Sequence, residues 1–400
     1  RIRELYTAFT SQGFYSPELM LEEQWFRLRN KSGTFGNIGG VATDDGMLPL
    51  PSCHTADKFY CSFKDYFPTH PEYFAMGKDG KRIDGTFSNG FAGQLCYSSD
   101  GAREVVTEKL KSVIREDNAK KDAAGFQRAW LYDISQADNY DWCQCPQCQE
   151  LIKKEGGNSA TLSTCINRIA EDVEKEFPGV FITTMAYMPT TKPPATIRPR
   201  HNVIIRWIDW GGFSLLPDCT QPLRTQKERA ESLLAWGKLS PGLALWDYGV
   251  RWHSPALVPF NPVPVLADDY RLFAEAGVSA AVFHESEDLD TWWLESNFNP
   301  LYHYMVLRLM VNPKLDVSDE VQTFMEVYYG PAAKPMRALY DFLAKEQEQL
   351  PPKDKHHGNV SQIPYVTVPF YQRILADLDA AAAACSGPED KAYLQRVRRE

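Results

Sequence analysis

The sequence predicts an α/β protein of the (β/α)8, TIM-type barrel class, followed by a C-terminal helical extension. Apolar strand-like runs alternate with amphipathic helix-like runs up to about residue 283, as expected for a parallel sheet covered by helices. Four strand-like runs end at or near an acidic residue, and a barrel gathers the carboxyl ends of its strands at one mouth. From about residue 299 onward the pattern is helical.

The strand-like runs are short and rich in β-branched and aromatic residues. They cover residues 3–11, 94–97, 130–134, 180–188, 203–210, 243–248 and 279–283. A barrel of this class needs eight strands, so we expect the first βα unit to be absent or to lie upstream of Arg1. The chain starts at Arg1 without a signal-like stretch and stops within a helix-like run, which is typical of a segment of a longer protein.

Helix-like runs follow most of these strands, and several carry start or stop signals. They cover residues 17–29, 99–116, 159–177, 226–237, 263–276, 299–350, 370–385 and 391–400. Ser16 is placed to cap the first helix and Ser99 or Asp100 the second, while Pro178 and Gly179 end the third.

Residues 31–93 form a long segment, rich in Gly and Pro, with few periodic runs. An insertion of this length in a compact domain usually has a function, often to cover a ligand. It contains His54 and a predicted hairpin turn at residues 78–82. We therefore expect a catalytic barrel over residues 1–312, with a loop insertion at about 31–93, and a helical region over residues 313–400.

Composition excludes some classes of function and favours others. The 400 residues carry a formal net charge of -9 and no long Lys/Arg block, which argues against a nucleic-acid partner. No run of 18 apolar residues is present, so the sequence predicts no membrane span. Aromatic residues make up 12% of the chain, and several stand beside acids, as in Trp246-Asp-Tyr248. Aromatic rings stack on the C–H faces of sugars, so this pattern favours carbohydrate, although most buried aromatics belong to the core.

The polar residues after the strand at 130–134 form the first candidate site. In parallel α/β proteins, ligands bind and chemistry occurs at the carboxyl ends of strands. Asp138 is therefore the leading candidate for a catalytic carboxylate, and Gln136 and Asn139 are candidate substrate ligands. The alternative for Asp138 is a structural cap for the following loop.

Further candidates lie at other strand ends and in the insertion. Glu285, after the last strand, is the candidate general acid. Substrate contacts are predicted for Tyr187, Asp209, Trp210, Trp246, Asp247 and His54. Each of these has a structural alternative: a buried acid that accepts hydrogen bonds, a core tyrosine or tryptophan, or a histidine that braces its loop.

Several carboxylates and aromatics without an obvious nucleophile and base pair suit glycoside hydrolysis. Its transition state resembles an oxocarbenium ion, so one acid must protonate the leaving oxygen and a second anion must stabilise positive charge. The sequence leaves open retaining, inverting and substrate-assisted routes; in the last, the 2-acetamido oxygen of the substrate is the nucleophile.

Several sequence blocks, in the same order along the chain, resemble one family. They are Phe35-Gly-Asn-Ile-Gly-Gly40, His70-Pro-Glu-Tyr-Phe74, Ser135-Gln-x-Asp-Asn139 running into Cys143-x-Cys-Pro-x-Cys148, Ala186-Tyr187, Trp246-Asp-Tyr248, Gly277-Val-x-x-x-Val-Phe283 and Tyr328-Tyr-Gly-Pro-Ala332. Together they resemble the domain of unknown function 4838, now classed as glycoside hydrolase family 163 and common in gut Bacteroides-type bacteria. The blocks span about residues 30–335.

This resemblance implies an endo-β-N-acetylglucosaminidase that cleaves the chitobiose core of complex-type N-glycans by the substrate-assisted route, and a periplasmic, cell-surface or secreted bacterial location. Residues 284–287 match the family only loosely. Two alternatives stay open: an exo-acting β-hexosaminidase or α-glucuronidase-like glycosidase, and, in another class, a non-catalytic carbohydrate-binding protein. Four acid-ended strands argue against the binding protein.

Cys143, Cys145 and Cys148 present three thiols at the spacing of a zinc knuckle. A fourth ligand would have to come from Cys96, Cys165 or Cys219, and a disulfide is the alternative. In either case the cluster is predicted to brace the loop behind Asp138. We expect no catalytic metal or other cofactor, because thiolate ligands leave little Lewis acidity for sugar chemistry.

Overall fold

A parallel β-sheet forms the centre of the chain in the computed structural model, which describes residues 4–8, 33–34, 53–84, 93–125, 128–209, 222–247, 261–284, 298–348 and 364–399. Its seven strands are β1 (Glu4–Ala8), β2 (Gly33–Thr34), β3 (Leu131–Asp133), β4 (Phe181–Ala186), β5 (Val203–Ile208), β6 (Leu243–Asp247) and β7 (Val278–His284). Every pairing between them is parallel. The predicted α/β class with a parallel sheet is confirmed.

The strand order across the sheet is β2-β1-β7-β6-β5-β4-β3. Strands β3 to β7 therefore lie in chain order, and the first strand meets the last. That order is compatible with a closed ring. Among the described residues β2 and β3 are the two edges and no ladder joins them, so closure of the barrel stays a prediction.

One strand prediction is corrected. The run at 94–97 is not a sheet strand, since Leu95 forms only an isolated antiparallel bridge with Phe74. Strand β1 pairs with β7 over five residue pairs, from Glu4 and Ala280 to Ala8 and His284, and its other edge pairs with β2. The gap in the described order falls between β2 and β3. A further strand upstream of Arg1 stays a prediction.

Helices fill the connections and the C-terminal part. They are α1 (Phe63–Tyr66), α2 (Asp100–Ala124), α3 (Pro146–Glu155), α4 (Ser159–Glu174), α5 (Lys227–Leu239), α6 (Val263–Glu275), α7 (Asn299–Val311), α8 (Val317–Tyr329), α9 (Ala333–Gln347), α10 (Val368–Ala384) and α11 (Lys391–Arg399). The sequence predicted most of these, but α3 was missed, and the helical run from 299 is interrupted twice. The helix predicted at 17–29 lies outside the described residues.

Local signals explain several helix ends. Ser99 caps α2 by accepting a hydrogen bond from Ala102 N at 3.3 Å, and Gly125, at φ 71°, ends it in the left-handed conformation that glycine adopts readily. Pro146 stands in the first turn of α3 and Gly156, at φ 81°, terminates it. The predicted hairpin turn at 78–82 is confirmed: Gly77 N donates to Lys81 O at 2.8 Å.

One hydrophobic core joins the sheet, its helices and the C-terminal helices. Buried apolar residues of a single cluster run from Ala56 through Trp207 on β5 and Met305 on α7 to Val397 on α11. The predicted domain boundary at residue 312 falls in the connection between α7 and α8. Division of the chain into two domains there stays a prediction.

None of the helices in the described part of the chain combines the length and the apolar character needed to cross a bilayer.

Candidate active site

Four neighbouring strands bring candidate residues to one edge of the sheet. Asp138 follows β3, Tyr187 follows β4 directly, Asp209 follows β5 directly, and Trp246 lies near the end of β6. These strands are adjacent in the order β6-β5-β4-β3, and all run in the same direction. Their carboxyl ends therefore face the same side, which is where parallel α/β proteins place their ligands.

Asp138 and Tyr187 form the central pair of this edge. The Tyr187 hydroxyl donates a hydrogen bond to Asp138 Oδ1 at 3.0 Å. Tyr187 is buried, with its ring packed among Met185, Ile208 and Trp246, whereas Asp138 is half-buried. A carboxylate open to a ligand is thus held next to a phenol whose ring has a fixed position.

His54 returns from the long insertion to this pair. Its Nδ1 lies 2.8 Å from Gln136 O, so Nδ1 carries the proton in this hydrogen bond and Nε2 is the acceptor nitrogen of the neutral ring. The ring centroid is 6.1 Å from that of Tyr187. Burial lowers the pKa of His54, with the Gln136 carbonyl and the charge of Asp138 acting in the opposite direction. The imidazole is therefore neutral at neutral pH.

Two non-glycine residues in the left-handed region flank the pair. His54 has φ 52° and Met188, next to Tyr187, has φ 50°. Each such residue costs on the order of 1–2 kcal/mol, and strain of this kind collects at functional sites.

Gln136 holds the loop that contains Asp138. Its side chain is fully buried, and Nε2 donates to Thr190 Oγ1 at 2.8 Å and to Tyr187 O at 3.2 Å. Gln94 fixes the next residue by bonding both Ala137 O, at 2.9 Å, and Ala137 N, at 3.1 Å. These contacts give Gln136 a positioning role beside Asp138, and substrate contact by Gln136 stays a prediction.

Asn139 and Tyr140 extend the loop past Asp138. Asn139 Oδ1 accepts from Asp141 N at 3.1 Å, and its Nδ2 is a buried donor without a hydrogen-bond partner among the described residues. Tyr140, which sequence reasoning missed, is 69% exposed. Two adjacent residues after Asp138 thus carry a buried amide donor, unpartnered within the described part of the chain, and an exposed aromatic ring.

Asp209 and Trp246 have protein partners of their own. Asp209 forms an ion pair with Arg229 on α5, and its backbone N donates to Trp246 O at 2.8 Å. Trp246 is buried, and the Arg206 guanidinium lies over its ring at 5.0 Å. Trp246 is thus largely covered by the protein, and substrate contact by Trp246 or Asp209 stays a prediction. Glu285 and Trp210 lie outside the described residues, as does the side chain of Asp247.

The sequence analysis did not predict the buried ion pair between Asp133 and Arg206, which lies beneath the site. Arg206 NH2 donates to Asp133 Oδ1 at 2.6 Å, and their side chains are 2% and 1% exposed. Ser135 Oγ at 2.5 Å and Thr55 Oγ1 at 3.0 Å donate to Asp133 Oδ2. Burial raises the pKa of Asp133 to about 6, although Arg206 and these hydrogen bonds act to lower it. The signal was an arginine in an otherwise apolar strand, Val203-Ile-Ile-Arg-Trp-Ile208, which demands a buried partner.

A second buried carboxylate lies close in sequence to His54. Asp57 belongs to a π-helical turn over Ala56–Tyr60, is 1% exposed, and neither of its side-chain oxygens has a hydrogen-bond partner from another described side chain. Burial raises its pKa to about 7. Nothing in the sequence marked Asp57, because an acid in a polar, Gly-rich segment ordinarily faces solvent.

The cysteine cluster lies behind the loop that contains Asp138. Cys143, Cys145 and Cys148 meet Cys96, one of the three candidates for a fourth ligand. Cys165 lies outside the cluster, and Cys219 lies outside the described residues. None of the eight described cysteines forms a disulfide.

Comparison with known proteins identifies a family. The family model described as "Domain of unknown function (DUF4838)" matches residues 4–341, most of the chain. No curated protein matches the sequence.

Solved structures give only distant similarities. The 4-O-methyl-α-glucuronidase BtGH115A of family GH115, with specificity for decorated arabinogalactans, has 11% identity and a TM-score of 0.45, over 74% of this chain and 38% of that one. A GH138 enzyme targeting pectin rhamnogalacturonan II has 8% identity and a TM-score of 0.37, over 100% of this chain and 55% of that one. PbGH5A, a glycoside hydrolase family 5 enzyme from Prevotella bryantii B14, has 10% identity and a TM-score of 0.38, over 77% of this chain and 96% of that one.

This chain thus spans about a third to a half of the length of the first two enzymes. Similarities this weak support no conclusion about its activity.

Arg206→Met is expected to lower the free energy of unfolding by about 3–5 kcal/mol, because it leaves Asp133 buried without its counter-charge. Chemical denaturation at pH 7.5 measures this. Arg115→Met is the matched control, since Arg115 pairs with Glu176 on the exposed surface and its loss should change little. Equal effects of the two substitutions would contradict a supporting role for the buried pair.

Asp57→Asn is expected to flatten the dependence of stability on pH. Because the folded-state pKa of about 7 lies above the ordinary value of 3.8, the contribution of Asp57 is fully present below about pH 4 and is lost as the pH rises through 7. The loss in wild type between pH 4.5 and 7.5 should be about 3 kcal/mol greater than in Asp57→Asn. Denaturation curves at both pH values test this, with the exposed Asp65→Asn as control; a slope unchanged by Asp57→Asn would refute it.

Proposed function

We propose that this chain, which belongs to the family described as Domain of unknown function (DUF4838), is a glycoside hydrolase that cleaves the chitobiose core of complex-type N-glycans. The observation that carries the proposal is the hydrogen bond between Tyr187 and Asp138 at the carboxyl ends of a parallel sheet. A carboxylate beside a phenol suits a substrate whose own acetamido group takes part in the reaction. The family resemblance of the loop that contains Asp138 points the same way.

The proposed reaction is substrate-assisted and retaining. The 2-acetamido oxygen attacks C1 and forms the C1–O bond of an oxazolinium ring, while the bond from C1 to the glycosidic oxygen breaks. A general acid gives its proton to the departing oxygen. Water then attacks C1, loses a proton to the conjugate base of that acid, and the ring reopens to the acetamido group. Configuration at C1 is retained because C1 is inverted twice.

Asp138 and Tyr187 have distinct roles in this scheme. The Asp138 carboxylate accepts the hydrogen bond of the acetamido N–H and stabilises the positive charge that develops on the ring. In the free protein the Tyr187 hydroxyl donates to Asp138. When substrate binds, the hydroxyl donates to the acetamido oxygen instead and orients that oxygen toward C1. The buried Tyr187 ring keeps the hydroxyl oxygen in place, so only the O–H bond has to rotate between these two partners.

Neighbouring groups suit a neutral, hydroxyl-rich ligand. His54 is held neutral by burial, so it adds no positive charge near Asp138. The exposed Tyr140 ring offers a face for the C–H side of a pyranose.

The general acid in this proposal is Glu285, which follows β7. Strand β7 lies beside β6 in the sheet, so its carboxyl end borders the edge that carries Asp209 and Trp246. The proposal also includes closure of the sheet into a (β/α)8 ring, which would bring the ends of β7 and β3 to opposite sides of one mouth. It further includes a periplasmic, surface or secreted location, where glycoproteins of this kind are met.

The second candidate is an exo-acting β-hexosaminidase, since the Asp138 and Tyr187 pair suits any 2-acetamido sugar. Release of an intact glycan from a complex-type glycoprotein, with one N-acetylglucosamine left on asparagine, supports endo action. Release of single sugars from the non-reducing end supports exo action. Mass spectrometry of both products distinguishes the two.

Asp138→Asn and Tyr187→Phe are each expected to lower kcat for glycan release by about 10²–10³-fold, because each removes a group that acts on the acetamido group in the transition state. Steady-state kinetics with a complex-type glycopeptide measures this. A thiazoline analogue of the oxazoline intermediate should inhibit wild type and bind both variants more weakly.

Tyr304→Phe is the matched control, because Tyr304 donates to Glu320 between C-terminal helices, away from the site. Glu285→Gln should also abolish release, and a leaving group that needs no proton should restore it. Full activity in both Asp138→Asn and Tyr187→Phe would remove the assignment of these residues.

Tyr140→Ala is expected to raise KM roughly tenfold with little change in kcat, because ring stacking on a sugar distant from C1 stabilises ground state and transition state alike. Tyr140→Phe keeps the ring and should retain the wild-type KM. The same glycopeptide assay measures both, and an unchanged KM in Tyr140→Ala would place the substrate elsewhere.

A further inference from the structure

Four cysteines from two separate segments converge behind the loop that contains Asp138. Cys96 precedes α2, while Cys143, Cys145 and Cys148 lie in the loop after β3 and the first turn of α3. All four are buried, and their sulfur atoms lie within 4.8 Å of one another. We infer that these four thiols bind one zinc ion, which has a structural role.

The sulfur positions fit a shared centre. Cys96 Sγ lies 3.5 Å from that of Cys143, 3.7 Å from that of Cys145 and 3.9 Å from that of Cys148. Four sulfurs around a tetrahedral zinc, each at about 2.3 Å from the ion, are about 3.8 Å apart. The observed separations lie around this value. A bonded sulfur pair is much closer, at about 2.05 Å.

Pairing as two disulfides fits the arrangement less well. Three of the four cysteines lie within one six-residue stretch, so two disulfides would force one bond inside that stretch. Cys96 is also nearly equidistant from the other three sulfurs, with no preferred partner among them. Equal spacing is expected of ligands around a single ion.

The surroundings suit thiolates bound to a metal. Cys145 is the residue before α3 and Cys148 lies in its first turn, where the helix dipole favours negative charge. Met76 N donates to Cys143 Sγ at 3.3 Å, and Ser98 Oγ lies 3.1 Å from Cys148 Sγ. Hydrogen bonds of this kind from neighbouring groups orient metal ligands and tune them.

The character of the site determines the role of the ion. Ala75, Met76, Ile83 and Ile152 pack around the four thiols and exclude solvent. Four protein ligands leave no coordination position for water or substrate, which is the pattern of structural zinc. Tetrahedral thiolate sites also accept iron, so the identity of the metal must be measured.

The ion would brace the residues that hold Asp138. Cys96 is two residues from Gln94, whose side chain bonds both the backbone N and the backbone O of Ala137, the residue before Asp138. Gln144, between two of the ligands, donates from its backbone N to Met76 O at 2.8 Å. The zinc therefore ties the segment at 75–96 to the loop at 134–148. The binding of zinc does not depend on the proposed sugar chemistry.

The first experiment measures metal content. Protein produced in the reducing bacterial cytoplasm and purified without a metal column is expected to contain about one zinc per chain by plasma mass spectrometry. Cys148→Ser should lose that zinc. Cys165→Ser is the matched control, because Cys165 is buried on α4 but is outside the cluster, and it should keep the zinc.

A second measurement on wild type covers the case in which Cys148→Ser fails to fold. A mercurial reagent added to native protein should release one equivalent of zinc to a chelating dye as the thiols react. In a separate sample without the mercurial, alkylation after denaturation with chelator should modify every cysteine. Wild type without metal, stoichiometric iron in place of zinc, disulfides in the 143–148 stretch, or zinc retained in Cys148→Ser would each overturn the inference.

Discussion

The buried ion pair between Asp133 and Arg206 is the interaction on which the rest of the site depends. Removing two charges from water costs several kcal/mol for each ion, and attraction between them offsets this only when the remaining polar atoms are also bonded. Here the Asp133 carboxylate also receives hydrogen bonds from Ser135 and Thr55. The pKa of Asp133 is nevertheless raised, so the cost of burial outweighs these contacts. Such a pair is therefore better explained by the geometry it imposes than by net stabilisation.

That geometry involves several of the segments that carry candidate residues. Asp133 ends β3, and Arg206 reaches it from β5, so the pair spans β4 and fixes the register of three strands. A slip of one residue in β5 would turn Arg206 to the opposite face and leave Asp133 unpaired. Trp246 of β6 packs on the guanidinium, and Thr55 connects the insertion to the same carboxylate. The pair thus aligns the ends of four strands and the segment next to His54.

The sequence indicated those parts of the fold that depend on local pattern. Strands β4 to β7 and most helices follow from runs of apolar residues and from capping residues such as Ser99. The pattern of apolar runs also placed Asp138 and Tyr187 after strands, and a parallel sheet aligns the carboxyl ends of its strands independently of the loop conformations. Helix α3 was missed, since its first turn overlaps a cysteine motif whose spacing suggested a compact loop.

Features that depend on contacts distant in sequence could not be predicted. Nothing in the order of residues tells that Arg206 meets Asp133, or that Gln136 is turned inward to Thr190. An amide at a strand end suits a ligand contact and an internal hydrogen bond equally well.

The loop from Ile134 to Cys148 combines two demands that conflict in most loops. In the proposed function, the Asp138 carboxylate must be open to substrate, yet it must not move, because an error of about 1 Å in a catalytic group can cost on the order of 100-fold in rate. Ordinary loops on a surface move more than that. In this loop, His54 bonds the carbonyl of Gln136 and Gln94 bonds that of Ala137, so both hold the backbone that leads into Asp138, and Tyr187 holds the Asp138 side chain. The left-handed conformations of His54 and Met188 are part of the cost of that rigidity, since strained residues persist only where surrounding contacts fix them. Such contacts are dense here, with the ion pair below the loop and the four thiols behind it. A rigid support for one half-exposed carboxylate therefore accounts for the buried charges, the strained backbone and the clustered cysteines together.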